Sequence, residues 1–127
     1  MRQVEVGKIF VFGSNLAGRH GKGAALHAAK YHGAERGVGR GRTGNAYAIP
    51  TKDERLNVLD REMIQVAVDE FIEYAREHRE LTFYLTPVST GLAGYSKFAM
   101  RTMFREAPSN VEWAESWNDE ERTASPF

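Results

Sequence analysis

The feature that most constrains this chain is a buried strand that runs directly into a glycine-rich turn and then into an alanine-rich helix. Apolar residues predict the strand over residues 8–12, and helical spacing predicts the helix over residues 22–31, with Gly33 ending it. The turn between them contains Gly13, Gly18, Gly21 and Gly23. Glycine lets the backbone approach a ligand closely, and the first amides of a helix have no partner within the helix. The pattern therefore predicts an anion pocket where the helix begins.

Composition indicates a single globular domain. The chain has 127 residues with 42% hydrophobic and 27% charged side chains, which suits one core. No apolar run reaches the roughly 20 residues that a membrane helix needs, and the first residues lack a signal-peptide core. Cysteine is absent, which excludes disulfides and thiolate sites. We therefore expect a cytoplasmic protein without membrane contact, one domain over 1–127 with a frayed tail over 118–127.

The net charge of zero conceals an asymmetry along the chain. Residues 1–52 contain nine Lys or Arg and two Asp or Glu, whereas residues 53–127 contain eight Lys or Arg and fifteen Asp or Glu. Nine of the twelve glycines lie between Gly13 and Gly44, so the basic part also exposes the most backbone. This combination suits a small anionic ligand or a nucleic-acid backbone, while the acidic remainder argues against a protein that coats polyanions generally.

The rest of the chain predicts an α/β fold with a mainly parallel sheet. After the first helix we expect a mobile Gly/Arg loop over 32–44 and a strand over 46–49 that is ended by Pro50. A helix then begins at Leu56, with Asp60 or Asn57 as its cap. The remaining predicted elements are a strand over 81–88, a glycine turn over 89–94, a helix over about 95–105 and a strand over 111–113. This order implies a three-layer α/β/α sandwich. In such sheets ligands bind beyond the carboxyl ends of the strands, where both glycine turns are expected to meet.

Two named nucleotide motifs do not account for the glycines. The pair Gly13 and Gly18 has the spacing of a P-loop, but Arg19 and His20 follow where a lysine and a hydroxyl belong. The glycines at 39, 41 and 44 match the dinucleotide fingerprint literally, yet they follow a polar loop and precede a strand. We interpret that match as coincidental, because the mechanism needs a strand before it and a helix after it.

Taken together, the two strand-ending turns resemble those of a macro domain, the ADP-ribose-binding module. The segments that carry the resemblance are Gly13-Ser-Asn15, Gly18-Arg-His-Gly-Lys-Gly-Ala-Ala25, Gly44-Asn-Ala-Tyr-Ala-Ile-Pro50-Thr-Lys52 and Pro87-Val-Ser-Thr-Gly-Leu-Ala-Gly-Tyr95. In that family an Asn ends a core strand before a glycine loop and a helix, and a later Ser-Thr-Gly-x-x-Gly loop wraps the diphosphate. The likeness extends over roughly residues 9–105.

The resemblance implies a ligand site made of both turns. It puts Asn15 and Tyr95 beside the distal ribose, residues 18–23 along that ribose and its phosphate, and the amides of residues 89–94 on the diphosphate. The expected ligand-binding residues are Gly13, Ser14, Asn15, Gly18, Arg19, Gly21, Lys22, Gly23, Ala24, Ser89, Thr90, Gly91, Leu92, Ala93, Gly94 and Tyr95. The residues themselves agree, since small donors and glycines let successive amides face one anion.

Several side chains keep two interpretations. Asn15 either orients a ribose or satisfies its own turn, and His20 is either a general base or phosphate contact or a surface histidine. The cluster of Arg36, Arg40 and Arg42 is either a flap over a phosphate or a solvated loop. Arg19 and His20 replace part of the family's usual glycine run, which implies a narrower cavity or room for an extra negative group.

The sequence thus leaves three functions open. The first is binding of ADP-ribose or a related nucleotide diphosphate, with or without hydrolysis of an ADP-ribosyl or ribose-phosphate bond. In that hydrolysis Asn15 would orient the ribose, and His20 or the ligand's own phosphate would activate water. Without hydrolysis, the protein would be a receptor or sponge for a nucleotide signal. The second is nucleic-acid binding through the Gly/Arg segment, and the third is a different Rossmann-like nucleotide module that uses the first turn alone. No resident cofactor or metal is expected.

Overall fold

The computed structural model describes residues 7–88 and 94–118, and they form an α/β fold around a five-stranded mixed sheet. In chain order the elements are β1 (Lys8–Asn15), α1 (Gly23–Tyr31), β2 (Gly41–Thr43), β3 (Ala46–Lys52), α2 (Arg61–Glu77), β4 (Thr82–Leu85), α3 (Lys97–Met103) and β5 (Val111–Trp113), followed by a 3-10 helix over Glu115–Asn118. None of the described helices is long and apolar enough to cross a membrane.

The strand order is β2-β3-β1-β4-β5, with β1 in the centre. The pairs β1–β3, β1–β4 and β4–β5 are parallel, and β2–β3 is antiparallel. The prediction of a mainly parallel sheet is therefore confirmed, and the strand predicted over 81–88 is an interior strand, although it is shorter than expected. Parallel pairing brings the carboxyl ends of β1, β3 and β4 to one edge.

The side chains of β1 alternate between two hydrophobic clusters, which is why the strand is buried on both faces. Ile9 and Val11 belong to the cluster that includes the buried faces of α2 and α3, whereas Phe10 and Phe12 belong to a smaller cluster with α1. Trp117 extends the larger cluster, and its indole Nε1 donates to the carbonyl of Leu85 at 2.8 Å. Trp117 is thus anchored directly before the expected tail, of which Asn118 ends the 3-10 helix and the residues from 119 on lie outside the described part of the chain.

Helix boundaries follow the local capping chemistry. The carboxylate of Asp60 accepts a hydrogen bond from the Met63 amide at 2.9 Å, which confirms one of the two predicted caps and starts α2 five residues later than the periodicity suggested. Gly33, at φ +77°, follows the end of α1 in the left-handed conformation that a helix terminator needs. Ser96 caps α3 by accepting from the Ala99 amide at 3.1 Å.

Two predictions about the middle of the chain are wrong. The segment over 32–44 is not all loop, because Gly41–Thr43 form β2 and pair with β3. Pro50 does not end β3, which continues to Lys52. Since β2 pairs with β3 only as far as Ala48, the missing amide of Pro50 interrupts no hydrogen bond on that side.

Candidate functional site

A cleft of about 610 Å³ lies at the edge of the sheet where β1, β3 and β4 end. Its described lining consists of Gly13, Ser14, Asn15, Arg19, Gly21, Lys22, Gly23, Ala24, Ala25, Thr51, Lys52, Leu56, Thr86, Pro87, Val88 and Gly94. The expected residues 89–93 lie outside the described part of the chain, but Val88 and Gly94, which border them, both line the cleft. The described ends of both glycine turns therefore border the same space.

The start of α1 faces this cleft without a side-chain cap. Lys22 occupies the N-cap position, and its side chain makes no capping hydrogen bond. Residues 23–25 line the cleft, and the first turn of the helix carries no acidic side chain. Because first-turn amides have no partner within a helix, they present partial positive charge to this space.

Three cationic side chains belong to the described lining. Arg19 and Lys22 are exposed, and Lys52 at the end of β3 is half-buried. Among the described lining residues there is no Asp, Glu or His. The charged side chains of the described lining are therefore all cationic, which, together with the helix start, favours an anionic ligand.

The side chain of Asn15 lines the cleft but is already engaged by its own turn. Its Oδ1 accepts from the Arg19 amide at 2.9 Å, and its Nδ2 donates to the Arg19 carbonyl at 2.9 Å. Asn15 is 7% exposed. Of the two interpretations of Asn15, this geometry favours the one in which the side chain shapes the turn, because both polar atoms of the amide already have a partner in that turn.

The first turn is packed backbone against backbone onto residues 37–39. A Cβ on Gly18, whose φ is +70°, would lie 2.3 Å from the carbonyl carbon of Gly37, and a Cβ on Gly39 would lie 2.0 Å from the carbonyl oxygen of Asn15. The Gly37 amide donates to the Gly18 carbonyl at 2.9 Å, and the Ser14 hydroxyl donates to the Gly39 carbonyl. Gly39 is thus required by a close approach, in a context that lacks the strand and helix of a dinucleotide fingerprint.

His20 does not face the cleft as a general base would. It is 1% exposed, its Nε2 lies 3.1 Å from the Glu35 carbonyl oxygen, and its ring packs edge-on against Phe12 at 5.3 Å. The ring is therefore neither on the surface nor at the cleft, where a general base would be. Its neighbours indicate a structural role beneath the first turn.

The arginines of residues 36–42 are not gathered over the cleft. Arg40 forms an ion pair with Glu70 at 2.9 Å, and Arg42 donates to the Tyr74 hydroxyl at 3.2 Å. Both partners belong to α2. These two contacts fit neither a flap over a phosphate nor a freely solvated loop, because they attach the segment to the helix.

Tyr95, which the resemblance puts beside a ribose, hydrogen-bonds to the protein backbone. It is absent from the described lining, and its hydroxyl donates to the carbonyl of Leu59 at 3.0 Å. Gly94, its neighbour, does line the cleft. The hydrogen bond ties the start of the segment after the second turn to the chain that precedes α2.

The expected ligand-binding residues did not include those that the ends of β3 and β4 and the turn after β3 contribute to the cleft. Thr51 and Lys52 lie at the end of β3, Thr86 and Pro87 follow β4, and Leu56 comes from the turn after β3. The hydroxyl of Thr86 donates to the Val11 carbonyl at 2.7 Å, which fastens β4 to β1 beneath the cleft. Their position at strand ends was the available signal, since parallel strands deliver their carboxyl ends to one edge.

No group of three or more His, Asp or Glu side chains that could hold a metal ion occurs within residues 7–88 and 94–118. Comparisons of this chain with protein-family models, with curated proteins and with solved structures found no match.

Proposed function

We propose that this protein binds ADP-ribose or a related nucleotide diphosphate in the cleft at the carboxyl ends of β1, β3 and β4. The observation that carries the proposal is the convergence of an uncapped helix start with Arg19, Lys22 and Lys52 on one cleft whose described lining has no acidic side chain. Helix amides and cations together are the usual protein ligands of phosphate.

The size and surroundings of the cleft support a nucleotide rather than a single phosphate ion. A volume of about 610 Å³ falls within the range of roughly 300–1,000 Å³ that is typical of small-molecule sites. Apolar side chains of Leu56, Pro87 and Val88 border the same cleft as the cations. A ligand with a charged diphosphate and uncharged rings matches this mixture.

The fold also agrees with the macro-like resemblance. Helices contribute to hydrophobic clusters on both faces of a mainly parallel sheet, as a three-layer α/β/α sandwich requires. In the proposed complex the amides at the start of α1 contact one phosphate, and the segment bordered by Val88 and Gly94 contacts the diphosphate from the β4 side. This arrangement is part of the proposal.

Binding without turnover is the version that the described residues favour. Hydrolysis would need a group that activates water, and neither His20 nor any described carboxylate lines the cleft, which leaves the ligand's own phosphate for that step. We therefore propose a receptor or sequestering role for a nucleotide signal. Nucleic-acid binding through residues 36–42 is less favoured, because Arg40 and Arg42 contact α2.

Calorimetric titration with ADP-ribose, AMP, NAD and cyclic ADP-ribose tests the proposal. We expect saturable binding at one site, tightest for a ligand that contains a diphosphate. Incubation of the protein with ADP-ribosylated protein and with ADP-ribose phosphate then tests turnover, and no product is expected. Failure of all four nucleotides to bind would refute the proposal, while salt-sensitive binding of many DNA and RNA sequences would favour the nucleic-acid function.

A further inference from the structure

Leu56 combines a left-handed backbone with an exposed apolar side chain at the edge of the cleft. Its φ is +69°, and no other non-glycine residue among those described has a positive φ. The side chain is 45% exposed, lines the cleft and belongs to neither hydrophobic cluster. Glycine or asparagine adopts this conformation with less strain than leucine does. Packing within the described fold therefore does not explain why leucine stands here.

The turn that contains Leu56 is held by its own hydrogen bonds. One carboxylate oxygen of Asp53 accepts from the amides of Arg55 and Asn57, each at 2.9 Å, and the Leu56 amide donates to the Asp53 carbonyl at 3.0 Å. The hydrogen bond from the Asn57 amide lowers the pKa of Asp53 from its ordinary value. Leu56 thus sits on a locally fixed turn directly after Lys52, one of the three cations of the cleft.

We infer that Leu56 is the apolar contact for an uncharged ring of the ligand, the sugar or base that adjoins the diphosphate. The inference rests on the proposed function. A strained backbone at a ligand site is retained where the side chain it presents has a use. The methyl groups of leucine gain free energy by covering the face of a ring, and they gain nothing from a phosphate.

The variant Leu56→Asn tests this inference, because asparagine has a similar size, tolerates the left-handed conformation and removes the apolar surface. The control is Val66→Ala, which shortens an exposed apolar side chain on α2 outside the described lining. Dissociation constants are measured for ADP-ribose, ADP and inorganic pyrophosphate, and the melting temperature is measured for each protein.

We expect Leu56→Asn to bind ADP-ribose about tenfold more weakly than the wild type does, to bind pyrophosphate unchanged, and to melt no lower. Val66→Ala should bind all three ligands as the wild type does. A loss for ADP-ribose with no loss for ADP would assign the contact to the terminal ribose, and a loss for both would assign it to adenosine. Either result supports the inference.

Three results would overturn it while the proposed function stands: unchanged ADP-ribose affinity in Leu56→Asn, an equal loss for pyrophosphate, or a lower melting temperature, which would give Leu56 a role in folding instead. If the wild type binds pyrophosphate as tightly as ADP-ribose, no ring contributes and the inference also fails. If the wild type binds none of the three ligands, the proposed function fails, and the inference fails with it.

Discussion

The side-chain amide of Asn15 holds the backbone of Arg19 through two hydrogen bonds of 2.9 Å, one as acceptor and one as donor. Asn15, the last residue of β1, therefore closes the turn that follows the strand. Because Gly18 donates its amide to the Asn15 carbonyl at 2.9 Å, the backbone and the side chain of one residue fix the same turn. This places the cation of Arg19 and the start of α1 relative to the sheet.

Replacing Asn15 should loosen the turn and weaken binding together. Asn15→Ala removes both hydrogen bonds, and we expect it to lower the free energy of unfolding by about 1–3 kcal/mol. Asn15→Asp keeps the acceptor for the Arg19 amide but places a negative charge in the cleft, so it should weaken ADP-ribose binding more than it weakens stability. Urea denaturation and calorimetry measure the two effects. Wild-type affinity in Asn15→Asp would contradict this role.

Two glycine-to-alanine substitutions should differ sharply in their effect on the free energy of unfolding. In Gly39→Ala the new Cβ would lie 2.0 Å from the Asn15 carbonyl oxygen, so we expect a loss of at least about 2 kcal/mol in the free energy of unfolding. Gly21→Ala meets nothing within 4 Å and should change stability by no more than about 0.5 kcal/mol. Urea denaturation of both variants checks the contrast, and equal stabilities would show that the close approach at Gly39 does not exist.

The charge of Lys52 should matter to an anionic ligand more than the charge of Arg40. Lys52→Gln removes a half-buried cation from the cleft, and we expect about a five- to tenfold loss of ADP-ribose affinity. Arg40→Gln breaks an exposed ion pair with Glu70, which should leave affinity unchanged and cost at most about 1 kcal/mol of stability. Titrations at two salt concentrations test both. If Arg40→Gln also weakened binding, the ligand would extend beyond the described cleft.

We expect the protein to lose stability in mild acid because of His27 and His32. Their ring centroids lie 5.1 Å apart, the Nε2 atom of each is buried without a described partner, and burial lowers the pKa of both from 6.5. Since the unfolded histidines bind protons first as the pH falls below about 6.5, the free energy of unfolding should decrease from there towards the lower native pKa values.

The variant His32→Phe tests this pair. The ring of His32 stacks on Phe10 with centroids 4.5 Å apart, and phenylalanine keeps an aromatic ring there while it removes one titrating group. Between pH 7.5 and pH 5.5 (about the window in which histidine titrates), the stability of His32→Phe should therefore decline less than that of the wild type. If urea denaturation showed the same decrease in the free energy of unfolding for both proteins, His32 would be excluded as a cause of the acid destabilisation.

The elements that the sequence predicted well depend on local chemistry. A buried apolar run, a glycine turn and an Asp60 cap each determine structure within a few residues, and β1, α1 and α2 follow from them. The position of the cleft at the start of α1 follows the same logic, since parallel strands and helix starts share one edge of a sheet.

What the sequence did not predict depends on contacts between distant segments. The burial of His20 requires Glu35, and Gly39 is required by Asn15, so neither role is visible in a local pattern. Pro50 is compatible with β3 because β2 pairs no further than Ala48. Leu56 has no sequence signature at all, because leucine is rarely found at positive φ.

The backbone contact between Gly18 and Gly37 couples the turn after β1 to local unfolding of the segment that contains β2. The Gly37 amide donates to the Gly18 carbonyl, so the chain from one glycine to the other, which contains α1, is closed into a loop by this hydrogen bond. Separating the hairpin of β2 and β3 from β1 would then also undo the turn between β1 and α1, which borders the cleft. Ligand occupancy should accordingly protect amides of that hairpin from hydrogen exchange, although no side chain of β2 lines the described cleft.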